Sequence, residues 1–116
     1  MLLAIPDGEE RRAREFYVDV LGLIEVIRPE ALGGNAGGWF QGGPVMVHLD
    51  VDPDFHAARK AHPAILVTDL GFLTARCEAA GHRVKHGVKL PGFDRIHVCD
   101  PFGNRLEFMQ IDRAMP

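Results

Sequence analysis

The sequence predicts an α+β chain made of two β-α-β-β-β units. Three observations carry this reading. Gly22 and Gly81 each close an amphipathic helical pattern and stand 59 residues apart. Each helical pattern is followed by runs of alternating apolar and polar residues, which is strand periodicity. The offset that superposes the two glycines also places Trp39 on Val98 and His48 on Glu107, so a helix stop, a hairpin and a polar strand residue agree. Upstream of the helices the offset becomes 62, with Ile5-Pro6-Asp7 opposite Val67-Thr68-Asp69. The two copies span about 1–50 and 62–111 of a 116-residue chain read as a single domain.

In chain order, Leu2 to Ile5 reads as a short strand ended by Pro6, Asp7 and Gly8. From Glu9 to Leu21, Ala13, Phe16, Tyr17, Val20 and Leu21 recur at helical spacing, with acids near the start and Gly22 at the stop. Leu23 to Ile27 is a strand closed by Pro29, and the glycine-rich Ala31 to Gly38 is a loop that could serve as a lid. Trp39 to Gln41 and Val45 to Asp50 are strands joined by a Gly-Gly-Pro turn, and Asp50 to His62 is a polar connector. In the second copy, Ala64 to Val67 is a strand. Leu70, Leu73, Cys77 and Ala80 form a helical face ended by Gly81. Val84 to Val88, Arg95 to Cys99 and Asn104 to Gln110 are the remaining strands.

Composition narrows the class of function. The chain is 47% apolar and 25% charged, a globular mix long enough to bury a core. Its net charge of −3 and scattered Lys and Arg give no basis for nucleic-acid binding. The apolar run before Pro6 is too short for a signal peptide or membrane span. Cys77 and Cys99 show no metal-ligand or redox spacing and read as free thiols of a reducing cytoplasm.

Candidate chemistry centres on DPFGNRLEFMQ, Asp100 to Gln110. Asp100, Pro101, Gly103 and Asn104 form a turn, with Asp100 able to bond back to nearby amides. Alternation then sets Leu106, Phe108 and Gln110 on one face of a strand and Arg105, Glu107 and Met109 on the other. A half-buried Glu107 needs a cation, hydrogen bonds or a raised pKa, since burying it unpaired costs several kcal/mol or more. Arg105 on the same face is one candidate, and a metal ion is the other. The repeat brings His48, His62 and Glu107 to strand starts and last strands that converge. Two imidazoles and a carboxylate suit Zn, Ni, Mn, Co or Fe(II), with open positions for water and substrate oxygens. Glu107 is also the one inward candidate for a base. His56 and His82 are expected at the surface, and His97, which shares a strand face with Arg95, could line the site. Trp39, Phe40, Phe93 and Phe102 read as core or dimer contacts, with Phe93 a candidate rim residue; Met46 and Met109 would give an apolar wall.

The repeat, the helix end FYVDVLGL (Phe16 to Leu23), His62 opening AILVTDL, and DPFGNRLEFMQ together resemble the vicinal oxygen chelate superfamily, also called glyoxalase/bleomycin resistance/dioxygenase. The resemblance covers almost the whole chain. It implies paired units forming a cup-shaped mixed sheet, completed by homodimerisation, with a divalent metal on the cup floor. It matches Glu107 to the carboxylate ligand of the final strand, His62 to the histidine opening the second unit, and His48 to the last-strand ligand of the first. Metal-dependent members commonly carry a further ligand at the start of the first unit, at the position just before Met1. The resemblance thus implies a glyoxalase-like lyase, isomerase or dioxygenase acting on a small molecule. Its alternative is a metal-free ligand-binding or antibiotic-resistance protein using the same cup.

Overall fold

The computed structural model describes residues 1–33 and 36–112. It divides into two compact units, Met1–Ala57 and Ala58–Pro116. The first contains β1 (Leu2–Ile5), α1 (Glu10–Arg14) continued by a π-helical segment (Glu15–Val20), β2 (Ile24–Val26), β3 (Gly38–Gly42) and β4 (Val45–Val51). The second contains β5 (Ala64–Leu66), α2 (Leu70–Ala79), β6 (Lys85–His86), β7 (Phe93–Cys99) and β8 (Arg105–Ile111). Each unit forms a four-stranded mixed sheet, ordered β1-β4-β3-β2 in one and β5-β8-β7-β6 in the other. In both, the first strand runs parallel to the last and the other pairings are antiparallel. The α+β class and the β-α-β-β-β order of each copy are therefore present.

Helix-side packing follows the sequence pattern. In the first unit Ala13, Phe16, Tyr17 and Val20 are buried with Ile5, Phe40, Val47 and Leu49, and Tyr17 stacks on Phe40 at 5.8 Å between centroids. In the second, α2 packs on β7 and β8. There Leu70, Leu73 and Cys77 are buried with Ile96, Val98, Leu106 and Phe108. Ala80, expected on that face, is the exposed C-cap instead. Each sheet thus has one face covered by its helix, and the candidate chemistry lies on the other.

The terminators act as expected. Gly22 (φ 80°) and Gly81 (φ 86°) take left-handed conformations that end the helices. The amides beyond them then turn back: Leu23 donates to the Tyr17 carbonyl at 3.0 Å and His82 to that of Cys77 at 2.9 Å. Asp69 caps α2 by accepting from the Phe72 amide at 3.0 Å. Glu30–Leu32 is a short 3-10 turn within the region read as a glycine-rich loop. The lid expectation for that loop falls partly on Gly34 and Asn35, which lie outside the described residues.

Strand register refines the repeat. Leu2 pairs with His48 and Ala64 with Glu107, so the offsets of 62 and 59 are both realised. Trp39, however, pairs with His48 while His97 pairs with Glu107. Trp39 is therefore equivalent to His97, not to Val98. The physical reason is turn length. Gly42 and Val45 flank a two-residue turn, whereas the Asp100 amide reaches the Asn104 carbonyl at 2.8 Å across three residues. One added residue shifts the penultimate strand by one position, and β-strand periodicity then exchanges the face of every side chain on it.

Candidate metal centre on the second sheet

The Asp100–Asn104 turn sets the geometry from which the site is built. The Asp100 carboxylate accepts from the Phe102 amide at 2.9 Å, the Asn104 amide at 2.8 Å and the Asn104 side chain at 2.9 Å. Asp100 and Asn104 are both buried, so these bonds replace the water the carboxylate gave up. The register they impose puts Ala64, Glu107, His97 and Lys85 in one row across all four strands of the sheet. Paired residues share a face, and this row lies on the side away from α2. Pro63 cannot donate to the ladder and stands at the strand entrance, where its carbonyl accepts from the Glu107 amide at 3.0 Å. That contact brings the preceding His62 beside Glu107.

Glu107 is buried, with 9% of its side chain exposed, yet it holds three cationic or donor groups. His62 Nε2 lies 2.9 Å and His97 Nε2 3.2 Å from Oε1, and Arg95 Nη1 is 3.4 Å from Oε2. Burial pushes the Glu107 pKa up, but the hydrogen bonds from His62, Arg95 and His97 outweigh it and bring it below the ordinary value. The expected alternative partner, Arg105, is exposed and does not pair with Glu107. Residues i and i+2 on a strand point the same way but stand a full pleat repeat apart, while cross-strand neighbours meet directly. Arg95 on β7 therefore takes the place predicted for Arg105. Its guanidinium also donates to the Val88 carbonyl at 3.0 Å. It lies so close to Gly87 that an added Cβ there would be 2.8 Å from Nε.

The donor atoms of His62, His97 and Glu107 lie within 4.8 Å of one another. His62 Nδ1 is 2.6 Å from the Lys60 carbonyl, a contact that orients the ring and directs Nε2 to the carboxylate. Two imidazole nitrogens converge on a single oxygen, Oε1. Two imidazoles and a carboxylate with their donor atoms gathered at one point are a donor set that fits a divalent metal.

The structure thus joins two of the three expected ligands, His62 and Glu107, and adds His97. The signal for His97 was its strand face, shared with Arg95; what the sequence did not give was its register against Glu107. His48 lies in the first unit, half-buried on β4, with its ring stacked on Trp39 at 3.7 Å and 4°. Among the described residues, no group of three metal-ligating side chains forms around it. Phe40 belongs to the core, and Phe93 begins β7 half-buried instead of lying in the preceding loop.

The fold and the cluster define a class: paired β-α-β-β-β units with imidazole and carboxylate donors on an open sheet face. The model of the Glyoxalase/Bleomycin resistance protein/Dioxygenase superfamily matches residues 2–108, and the chain belongs to that superfamily. A protein assigned to the glyoxalase family from Bacillus anthracis is 36% identical, with a TM-score of 0.90 over 96% of this chain and 91% of that one. TnmS3, an antibiotic binding protein from Streptomyces sp. CB03234, is 22% identical with a TM-score of 0.72, covering 96% and 93%. Lactoylglutathione lyase from Agrobacterium tumefaciens is 22% identical with a TM-score of 0.69, covering 95% and 91%. These last two show a shared fold. No curated protein matches the sequence. Among the described residues, no helix is long and apolar enough to cross a membrane.

Proposed function

We propose that this chain is a glyoxalase-like enzyme, a lyase, isomerase or dioxygenase, that acts on a small molecule at a divalent metal held by His62, His97 and Glu107. The convergence of His62 and His97 on Oε1 of Glu107 carries the reading. When bound, the ion supplies Lewis acidity toward substrate oxygens. His62, oriented by the Lys60 carbonyl, presents a fixed nitrogen. His97 anchors the cluster to the middle of the sheet. Glu107, held deprotonated by its donors, is the residue able to take a proton when one of them moves away. His48 is a further candidate ligand, and we place the enzyme in a reducing cytoplasm, in keeping with free Cys77 and Cys99.

A second reading is favoured by Arg95. Its guanidinium already lies on Oε2 of Glu107 and can neutralise the carboxylate without any metal. The chain would then be a metal-free ligand-binding or resistance protein; a protein of this fold, TnmS3, is described as an antibiotic binding protein.

The deciding experiment measures metal content and affinity for Mn, Fe, Ni and Zn by elemental analysis and calorimetry. Wild type and the His62→Ala, His97→Ala, Glu107→Ala and His48→Ala variants are compared. Near-stoichiometric metal in wild type, lost in the first three variants, supports the enzyme reading. Loss in His48→Ala as well adds that residue to the ligand set. Absence of metal binding in wild type overturns the enzyme reading and favours ligand binding.

A further inference from the structure

The open face of the second sheet holds more positive charge than the candidate metal centre uses. Lys85 pairs with His97 across β6 and β7, and Arg105 pairs with Cys99 across β7 and β8. A pocket of about 440 Å³ lies there, lined by Arg83, Lys85, His86, His97, Cys99 and Arg105 together with Val98. No carboxylate lines it. Glu107, next to His97 in the row, already faces His62, His97 and Arg95.

Several cations elsewhere in the chain face acids. Arg11, Arg12 and Arg14 face Glu15, Glu9 and Glu25, and Lys89 sits between Asp94 and Asp112. Among the described residues, no ion pair engages Arg83, Lys85 or Arg105. Three cations with no acid among them line one pocket in a chain of net charge −3. Together they set up a local positive field there.

We propose that Arg83, Lys85 and Arg105 form a binding pocket for the carboxylate or phosphoryl group of a small organic anion. His97 lines both this pocket and the candidate metal centre. A ligand anchored here by its anionic group therefore extends toward Glu107. The pocket itself does not depend on a metal.

Cys99 provides a reporter inside the pocket. The intact chain is stripped of metal, freed of chelator and alkylated with anionic iodoacetate or neutral iodoacetamide, and the Cys99 peptide is quantified by mass spectrometry. The iodoacetate-to-iodoacetamide rate ratio is expected to exceed that of N-acetylcysteinamide by about threefold or more, the effect of nearby unit charges partly screened by solvent. Inorganic phosphate or succinate should slow the iodoacetate reaction more than sodium chloride of equal ionic strength. Protection by phosphate alone assigns a phosphoryl group, by succinate alone a carboxylate, and by both a general oxyanion site. Lys85→Gln and Arg105→Gln, both exposed and tested for unchanged far-UV circular dichroism, should return the ratio to the reference value; Arg83→Gln gives a third independent variant. A wild-type ratio equal to the reference, or protection no better than chloride gives, overturns the proposal. Because the protein is metal-free throughout, failure here leaves the metal reading untouched, and the converse holds as well.

Discussion

At the scale of single residues, the geometry around Glu107 depends on its neighbours. Gly87 leaves the space that the Arg95 guanidinium fills, and Arg95 in turn faces Glu107. Gly87→Ala would set a methyl group 2.8 Å from Nε, so the guanidinium must shift and Oε2 loses its cation. The expected outcome is altered metal affinity at Glu107 with little loss of stability, measured by calorimetry beside thermal unfolding. Cys77 makes a different point. Burial pushes its thiol pKa up, and the folded chain holds that proton more tightly than the unfolded chain does. The contribution is complete below the ordinary thiol value and is lost as pH rises toward the higher folded one, with a slope of up to about 1.4 kcal/mol per pH unit. Urea melts of wild type and Cys77→Ala should converge as pH rises through that window. In native protein Cys77 should resist iodoacetamide while exposed Cys99 reacts, as peptide mapping would show.

At the scale of elements, turns decide more than helices do. The Asp100 carboxylate accepts three hydrogen bonds within a five-residue loop that sets the β7–β8 register. Removing it leaves buried amides without acceptors, and hydrogen bonds to a charged group contribute about 1.5–3 kcal/mol each. Asp100→Ala should therefore destabilise by about 3 kcal/mol or more in denaturant melts. It should also weaken metal binding, because His97 and Glu107 meet only through that register. Losing the Asp69 cap, by contrast, should cost about 1 kcal/mol and leave the site intact. Gly37 is a similar constraint in the first unit. It has a φ of 80°, and a Cβ there would lie 2.0 Å from the Leu49 carbonyl oxygen. No rotamer adjustment relieves a clash with backbone, so Gly37→Ala should lower the melting temperature more than Asp69→Ala does.

At the scale of the whole molecule, the sequence disclosed elements and their order because the signals for them are local. Gly22 and Gly81 end helices wherever the surrounding chain goes, and Leu106 and Phe108 alternate with Glu107 on any strand. Glu107 and His62 were legible because the repeat aligned them with strand positions. His97 and Arg95 were not read as partners of Glu107, because their contacts arise from a cross-strand register that one extra turn residue shifts. The same open faces carry exposed apolar side chains: Leu2 and Ile24 on the first sheet, Leu66 and Ile111 on the second. Exposed apolar side chains gathered on a sheet face favour association. The homodimer expected of this superfamily would cover part of that surface. Sedimentation velocity should then give twice the 12.8 kDa chain mass, and Leu2→Glu or Leu66→Glu should shift the boundary toward the monomer. A monomer at all concentrations would overturn the homodimer expectation and confine any metal site to one copy.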